Sequence, residues 1–491
     1  MAGRMPTKEP WKTYASWSRT YESPIISFRV YNTTLIVLSS VQAIQDMLER
    51  RQDIYSERPR NTMYNDICGR GKTIFNVDAS STRHKMYRKM LGKGLGPRGG
   101  RAGNGAKVIR GYTPLIEREA RRLAESLISM SRGHGEGIVD DFIPLVQRSA
   151  VAVILGIAFG YTVQGDSDPF IKVSEEASKI SGYAMAPGRW MVDYVPLLRY
   201  VPAWMLGAGW KRQGLIWRER LHHLADVPHL WAKNQIETGN YEESFTSRLL
   251  RPDPETGVDG VQVGPEQEEL VKWCAGGLYA GASDTTVSAI VSFILLMALY
   301  PEVQCRAREE VLAHLPAGDD DDSTDLAFIH RLPYLNAVMQ EVLRYAPVGN
   351  LALPHRVSQE DEYGGLRIPQ NATVIANVWA IFHNETLYPN PHSFWPERFL
   401  GSNAESNAAS IKSSVPQPDP RRWAFGFGKR VCPGMYFAET TMLYAFFHIL
   451  ATCEMSLPPS LSARPEVEFT TGITSHIKPF PVVVQPLRKF R

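Results

Sequence analysis

Phe425-Gly426-Phe427-Gly428-Lys429-Arg430-Val431-Cys432-Pro433-Gly434 is the stretch on which the reading of this chain turns. Gly426 and Gly428 can take positive φ and fold the run into a tight loop. Cys432 reads as the N-cap of a helix, with Pro433 at the first helical position, where its missing N–H costs nothing. Free N–H groups at such a start favour a negatively charged sulfur. Gly434 leaves room for a flat group to approach the backbone. Phe425 is placed to lie against the sulfur side, and Arg430 to reach an anion.

The run resembles the haem-binding loop of the cytochrome P-450 family, F-x-x-G-x-R-x-C-x-G. Phe425, Gly428, Arg430, Cys432 and Gly434 match every fixed position. The resemblance runs from about Trp11 to the C-terminus. It implies a mainly α fold with small β-sheets, a triangular, helix-rich single domain over residues 1–491. Haem b (iron protoporphyrin IX) would lie between the long central helix and the Cys-loop helix, with the Cys432 thiolate as its axial ligand. By the same resemblance Arg430, His355 (in Pro354-His355-Arg356) and Arg88 would hold the haem propionates. Arg88 matches the Arg of a W-x-x-x-R helix whose Trp position here holds His84.

Two further segments fit the family. Glu341-Val342-Leu343-Arg344 matches its E-x-x-R helix, on which i and i+3 side chains share a face. That pattern alone is weak, since Glu57/Arg60 and Glu119/Arg122 repeat it. Pro396-Glu397-Arg398-Phe399 supplies the context, and Arg398 would close a buried Glu–Arg–Arg cluster that folds the loop scaffold and does no chemistry. Gly281-Ala282-Ser283-Asp284-Thr285-Thr286 resembles the oxygen-activation segment, where the helix opens locally. Thr285 would position, and Asp284 relay, the protons that oxygen activation consumes. Ala282 stands where the family has Gly. An N-cap role for Asp284 is the rival reading, but the helical pattern already runs from about Glu266.

Composition bounds the rest. The 44% apolar content permits a large core, and a net charge of +3 gives no reason to invoke nucleic acid. The cysteines at 68, 274, 305, 432 and 453 form no C-x-x-C pair, which argues against a zinc site or a disulfide framework. Gly69-Arg70-Gly71-Lys72-Thr73 ends like a phosphate-binding loop but lacks the first glycine, with Asp66 in its place. The polar start Met1–Pro10 lacks a signal peptide's apolar core and the roughly 20 apolar residues of a span. Val287–Tyr300 reads as a helix buried in a core. The family's N-terminal anchor is therefore not expected here. Pro196–Leu206, apolar and aromatic, falls where the family has a loop that dips into a membrane.

Along the chain, Ile25–Leu38 predicts a hairpin with Asn32-Thr33 at its turn, and Ala43–Arg51 a short helix. Residues 96–106 predict a loop, and 110–350 mostly helix. The acidic run Asp319–Asp322 reads as a solvated loop and 401–420 as irregular. Residues 351–380 and the last 35 read as strands.

The resemblance implies a haem-thiolate monooxygenase acting on a medium-sized hydrophobic substrate with O2, most like fungal members of secondary metabolism. NADPH electrons would arrive through a separate flavoprotein reductase. That partner would dock on a basic face formed by Arg83, Lys85, Lys89, Arg421, Arg422 and Lys429. The expected setting is a monomer at the cytosolic face of the endoplasmic reticulum, touching the membrane peripherally, with a cytoplasmic location as the alternative. The rival readings are a haem-thiolate isomerase or dehydratase, which needs no O2, and a non-catalytic haem sensor.

Overall fold

The computed structural model describes residues 6–95, 104–133, 137–165, 167–186, 188–251, 264–315, 326–401, 416–461 and 463–487. The expected loops at 96–103, 319–322 and 402–415 lie outside these residues.

The architecture is built on the helix Pro265–Leu299. Pro265 starts it, with Glu266 and Glu268 in its first turn complementing the helix dipole. Every residue from Thr286 to Leu299 is buried. A helix apolar on all faces must be enclosed by others. Here Ile143–Phe159, Gly209–Thr238 and Met435–Thr452 pack around it. Phe293 stacks on Phe446 of the last of these at 3.8 Å. Gly276 allows the Gly209–Thr238 helix to approach closely, since a Cβ there would meet Ala225 at 2.6 Å. This is the one helix among the described residues long and apolar enough to cross a membrane, and its apolar length lies inside the protein.

The strands form three small sheets. β1 (Ile25–Val30) and β2 (Thr33–Leu38) make the expected hairpin, with its turn at Tyr31-Asn32, one residue earlier than predicted. β3 is Ile138–Val139, β4 His355–Arg356, β5 Asp361–Tyr363, β6 Leu366–Ile368 and β7 Thr373–Ala376. β8 is Cys453–Ser456 and β9 Val482–Pro486. The first sheet has the order β1-β2-β7-β4, with β2 and β7 parallel and Leu35 opposite Thr373. The second has the order β3-β9-β8, and β5-β6 is a lone hairpin turning at Gly364-Gly365.

Three expectations are corrected. Among the described residues of the last 35, only β9 and an isolated Phe469–Ile477 bridge are paired, because the prolines and hydroxyl residues of this stretch favour irregular backbone. Residues 104–106, expected in a loop, begin the helix Asn104–Gly133. The helix after Ser40 starts at Val41, capped by the Ser40 side chain on Ala43 N–H, and continues as a π-helix over Gln45–Arg50.

Candidate active site

The Cys432 loop is held by its own backbone. Gly426 and Gly428 have φ of +79° and +52°, as expected of them. Only glycine fits at 428, because a Cβ would lie 2.4 Å from the Leu48 carbonyl. A 3₁₀ turn covers Gly428–Arg430, and Cys432 N–H donates to the Phe425 carbonyl at 2.7 Å. Phe427 is fully buried beneath the loop, whereas Phe425 is half-buried against the main core. The N-cap expectation is corrected. The helix is Met435–Thr452 and Gly434 caps it, because the turn that seats Cys432 on Phe425 delays the first helical bond, Ala438 N–H to Gly434 O. Sulfur stabilisation survives in another form. Burial pushes the Cys432 thiol up, while a hydrogen bond from Gly434 N–H and the nearby Arg88 charge favour the thiolate.

Beside the loop lies a cluster of buried cations. Arg430 donates to the carbonyls of Ser56 (2.7 Å), Ile74 (3.3 Å) and Val77 (2.6 Å). Burial pulls its guanidinium down to about 10. Arg58, which sequence reasoning had not singled out, is buried and donates to the carbonyls of Phe75, Leu353 and Pro354. Burial, and then Arg430, lowers it well below the usual arginine range. His355 is buried with Nδ1 2.6 Å from the Tyr55 carbonyl, and burial and Arg58 push it down to about 3. Nδ1 is thus engaged by the backbone, which leaves Nε2 as the ring nitrogen for the expected anion. Arg88 donates to the Val431 carbonyl at 2.9 Å, with His84 buried one turn before it on the helix Thr82–Leu95.

Glu341, Arg344 and Arg398 assemble as expected. Arg344 bonds Glu341 through Nε (2.8 Å) and Nη2 (2.7 Å), and Arg398 Nε reaches Glu341 at 3.2 Å. All three side chains are wholly buried.

On the central helix, the Thr285 side chain is exposed, and its hydroxyl donates to the Gly281 carbonyl at 2.9 Å. The helix is continuous through this point, and the Thr285 hydroxyl competes with the backbone for the carbonyl one turn back. Asp284 is no cap, since it lies in mid-helix. Its carboxylate pairs with His476 Nε2 at 3.2 Å and bonds the Thr474 side chain. Burial opposes its ionisation, but these partners outweigh burial and hold it below the ordinary value. Nothing in the sequence joins His476 to Asp284, 192 residues away.

The basic face is thinner than expected. Arg83 turns to Glu269, Arg421 pairs with Asp419 and Glu439, and Lys429 pairs with Asp53. Lys85, Lys89 and Arg422 stay exposed. A separate 420 Å³ surface cleft, lined by Lys72, Arg218, His222, Glu269 and Trp273 among others, sits about three helical turns before Asp284. It does not reach the residues above.

The haem expectation is tested by the residues present. Arg58, Arg430 and His355 crowd together at the price of lowered proton affinity, a placement suited to buried carboxylates. Gly434 has neither positive φ nor any protein atom within 4 Å of where a Cβ would stand, so the backbone there faces open space beside the sulfur. Both features fit a flat dianionic group.

The arrangement is that of a haem-thiolate protein, and comparison with known proteins is specific. The family model Cytochrome P450 matches residues 2–484. Cytochrome P450 monooxygenase 208 of Postia placenta is 33% identical over 484 residues, covering 98% of this chain and 87% of that protein. Cytochrome P450 monooxygenase claR of Ampulloclitocybe clavipes is 33% identical, covering 98% and 83%. Tryptamine 4-monooxygenase of Psilocybe cyanescens is 32% identical, covering 97% and 88%. A zebra fish cytochrome P450 structure with abiraterone shares the fold, with a TM-score of 0.70 at 21% identity over 98% of this chain and 100% of that one. The chain belongs to the cytochrome P450 family. It is an oxidoreductase of the monooxygenase class, and the family implies a haem with a cysteine thiolate ligand, a substrate, O2 and a redox partner.

Proposed function

We propose that residues 1–491 form one catalytic domain that inserts one oxygen atom of O2 into a medium-sized hydrophobic substrate of fungal secondary metabolism. The observation that carries this is the Cys432 loop beside the buried Arg58–Arg430–His355 cluster. Cys432 would ligate the iron of haem b, with Phe425, Gly428 and Gly434 shaping its seat, and Arg58, Arg430, Arg88 and His355 would hold the haem propionates.

When bound, the haem supplies dioxygen binding and reduction and transfer of one oxygen atom to substrate, driven by an electron-rich thiolate. The chain's own residues do the rest. Thr285 Oγ, exposed and already donating to Gly281 O, keeps lone pairs free to accept a proton-bearing partner. Asp284 delivers protons beside it. Electrons arrive from NADPH through a separate flavoprotein reductase, and the exposed Lys85, Lys89 and Arg422 favour an acidic docking surface. We place the chain as a monomer at the cytosolic face of the endoplasmic reticulum. Leu197, Tyr200, Trp204 and Leu206, all more than two-thirds exposed, suit a membrane surface. The similarity to claR and to tryptamine 4-monooxygenase supports secondary metabolism.

The test is spectroscopic. Reduced protein under carbon monoxide should show the strongly red-shifted Soret band of a thiolate ligand, and Cys432→His should lose it. A Cys432→Ala protein that keeps the band removes the assignment. NADPH-dependent product formation with a reductase then separates a monooxygenase from an isomerase or a sensor.

A further inference from the structure

Building on the proposed Asp284–Thr285 proton relay, we propose that His476 is its positioning residue, locking Asp284 to the C-terminal loop so that this loop governs proton delivery. Asp284 and Ser288 lie one turn apart on the same face of the central helix. Three consecutive loop residues meet that face. The Thr474 side chain bonds Asp284, the Ser475 carbonyl accepts from Ser288 Oγ at 2.6 Å, and His476 Nε2 lies 3.2 Å from Asp284 Oδ1. The loop is a built structure. Thr470 N–H donates to His476 O at 2.8 Å and His476 N–H to Thr470 Oγ1 at 2.9 Å, above the Phe469–Ile477 bridge. Ser475 N–H donates to the Val348 carbonyl at 2.8 Å, tying the loop to the chain just after the helix Pro333–Tyr345.

Two consequences follow from this geometry. The Asp284 carboxylate is partly buried and would be costly to ionise alone, and His476 is the one ionisable partner paired with it among the described residues. The His476 ring is itself about a quarter exposed. An imidazole with one nitrogen on a relay carboxylate and an edge toward solvent fixes both the aim and the charge of that carboxylate. A substrate that displaces the loop shifts His476, and through it Asp284, without touching either.

The experiment compares His476→Ala and His476→Gln with the parent and with Asp284→Asn, all haem-loaded and supplied with reductase and NADPH. His476→Ala is expected to keep haem content, the carbon monoxide band and KM, while product per NADPH falls several-fold. His476→Gln retains a donor to the Asp284 carboxylate and should hold most of the coupling that His476→Ala loses. A second readout needs no turnover. In thermal unfolding, the double variant Asp284→Asn/His476→Gln should shift by no more than the larger single shift, because the two side chains form one unit. Unchanged coupling in His476→Ala, coupling in His476→Gln no better than in His476→Ala, or additive unfolding shifts would each overturn the inference. Asp284→Asn separates the two levels. If it turns over normally, the relay itself falls and this inference with it. If it slows while the His476 variants behave as the parent, only the role of His476 falls.

Discussion

Arg344→Ala is the sharpest perturbation of the scaffold that seats Cys432. Arg344 is wholly buried and makes two bonds to Glu341 and one each to the carbonyls of Phe382 (3.0 Å), Pro391 (2.7 Å) and Ser393 (3.1 Å). Removing it leaves Glu341 with Arg398 as its one remaining cation, at 3.2 Å. Breaking a buried pair in this way costs about 3–5 kcal/mol. Ser393 O keeps a donor in Arg398, but the Phe382 and Pro391 carbonyls lose theirs, at about 1–3 kcal/mol each. The sum, about 5–11 kcal/mol, is comparable to the whole stability of a typical domain, about 5–15 kcal/mol. Arg344→Ala should therefore yield little soluble, haem-loaded protein. Arg344→Lys keeps the charge but loses the planar fork, and should fall between that variant and the parent. The assay is soluble yield and the urea midpoint by tryptophan fluorescence. Arg367→Ala, which breaks an exposed pair with Glu360, is the control and should leave both unchanged. An Arg344→Ala protein with parental yield and midpoint would refute the reasoning.

Other outcomes follow from the geometry. Thr285→Ala should keep haem content and the substrate-induced spectral shift yet divert NADPH electrons to hydrogen peroxide. An unchanged ratio of product to NADPH would remove Thr285 from the mechanism. Asp284→Asn should slow turnover by about 10²–10⁴-fold, the usual range for a positioned acid, as read from steady-state rates. Asp193 accepts from Met63 N–H at 2.8 Å, and burial pushes it up to about 6. The folded state thus binds that proton more tightly than the unfolded chain, whose value is about 3.9. Its contribution is fully present below about pH 4 and lost as pH rises through about 6. Asp193→Asn should flatten the fall in unfolding midpoint across that window, and an unaltered slope would count against it. Changing Leu197, Trp204 and Leu206 together to Ser should reduce flotation with phospholipid vesicles. Leu198 is left intact, because it packs against the core. Equal flotation of parent and variant would dismiss the membrane role of this loop.

What was legible from sequence is what is local. The Cys432 loop needs two glycines at fixed offsets, and each takes the positive φ that its position requires. Glu341 and Arg344 sit on one helical turn, so their pairing is written in the spacing, and Pro396–Phe399 brings Arg398 to them in a short 3₁₀ turn. The helix start at Gly434 was misplaced because Cys432-Pro433 has good cap chemistry. The bond from Cys432 N–H to Phe425 O, which no propensity reports, decides the boundary. Tertiary pairing hid the rest. Asp284 and His476 meet across the fold, and Arg58 reaches Leu353 and Pro354 through 295 and 296 residues of separation. The final segment read as strands, but among its described residues only β9 extends a sheet, between β3 and β8, and the prolines and hydroxyl residues before it favour irregular backbone.

The cation cluster is the part of the site with the least structural excuse. A fold seeking stability alone would not bury Arg58, Arg430 and His355 together, because burial lowers all three, Arg430 further lowers Arg58, and both guanidinium groups further lower His355. Their bonds to backbone carbonyls satisfy the N–H groups but cancel none of the charge. The nearby acids Glu57 and Asp78 offset part of the Arg430 charge, but burial still outweighs them, and both serve other partners as well: Glu57 accepts from Ala79 and Ser80 N–H, Asp78 from Arg356. Strain of this kind persists where a ligand relieves it. Binding of a dianionic group is then linked to folding, since a ligand that binds only the native state adds to its stability. The same carboxylates that settle the cluster would seat the flat group over Gly434 and Cys432. Cofactor retention and fold stability should thus rise and fall together when Arg58 or Arg430 is altered.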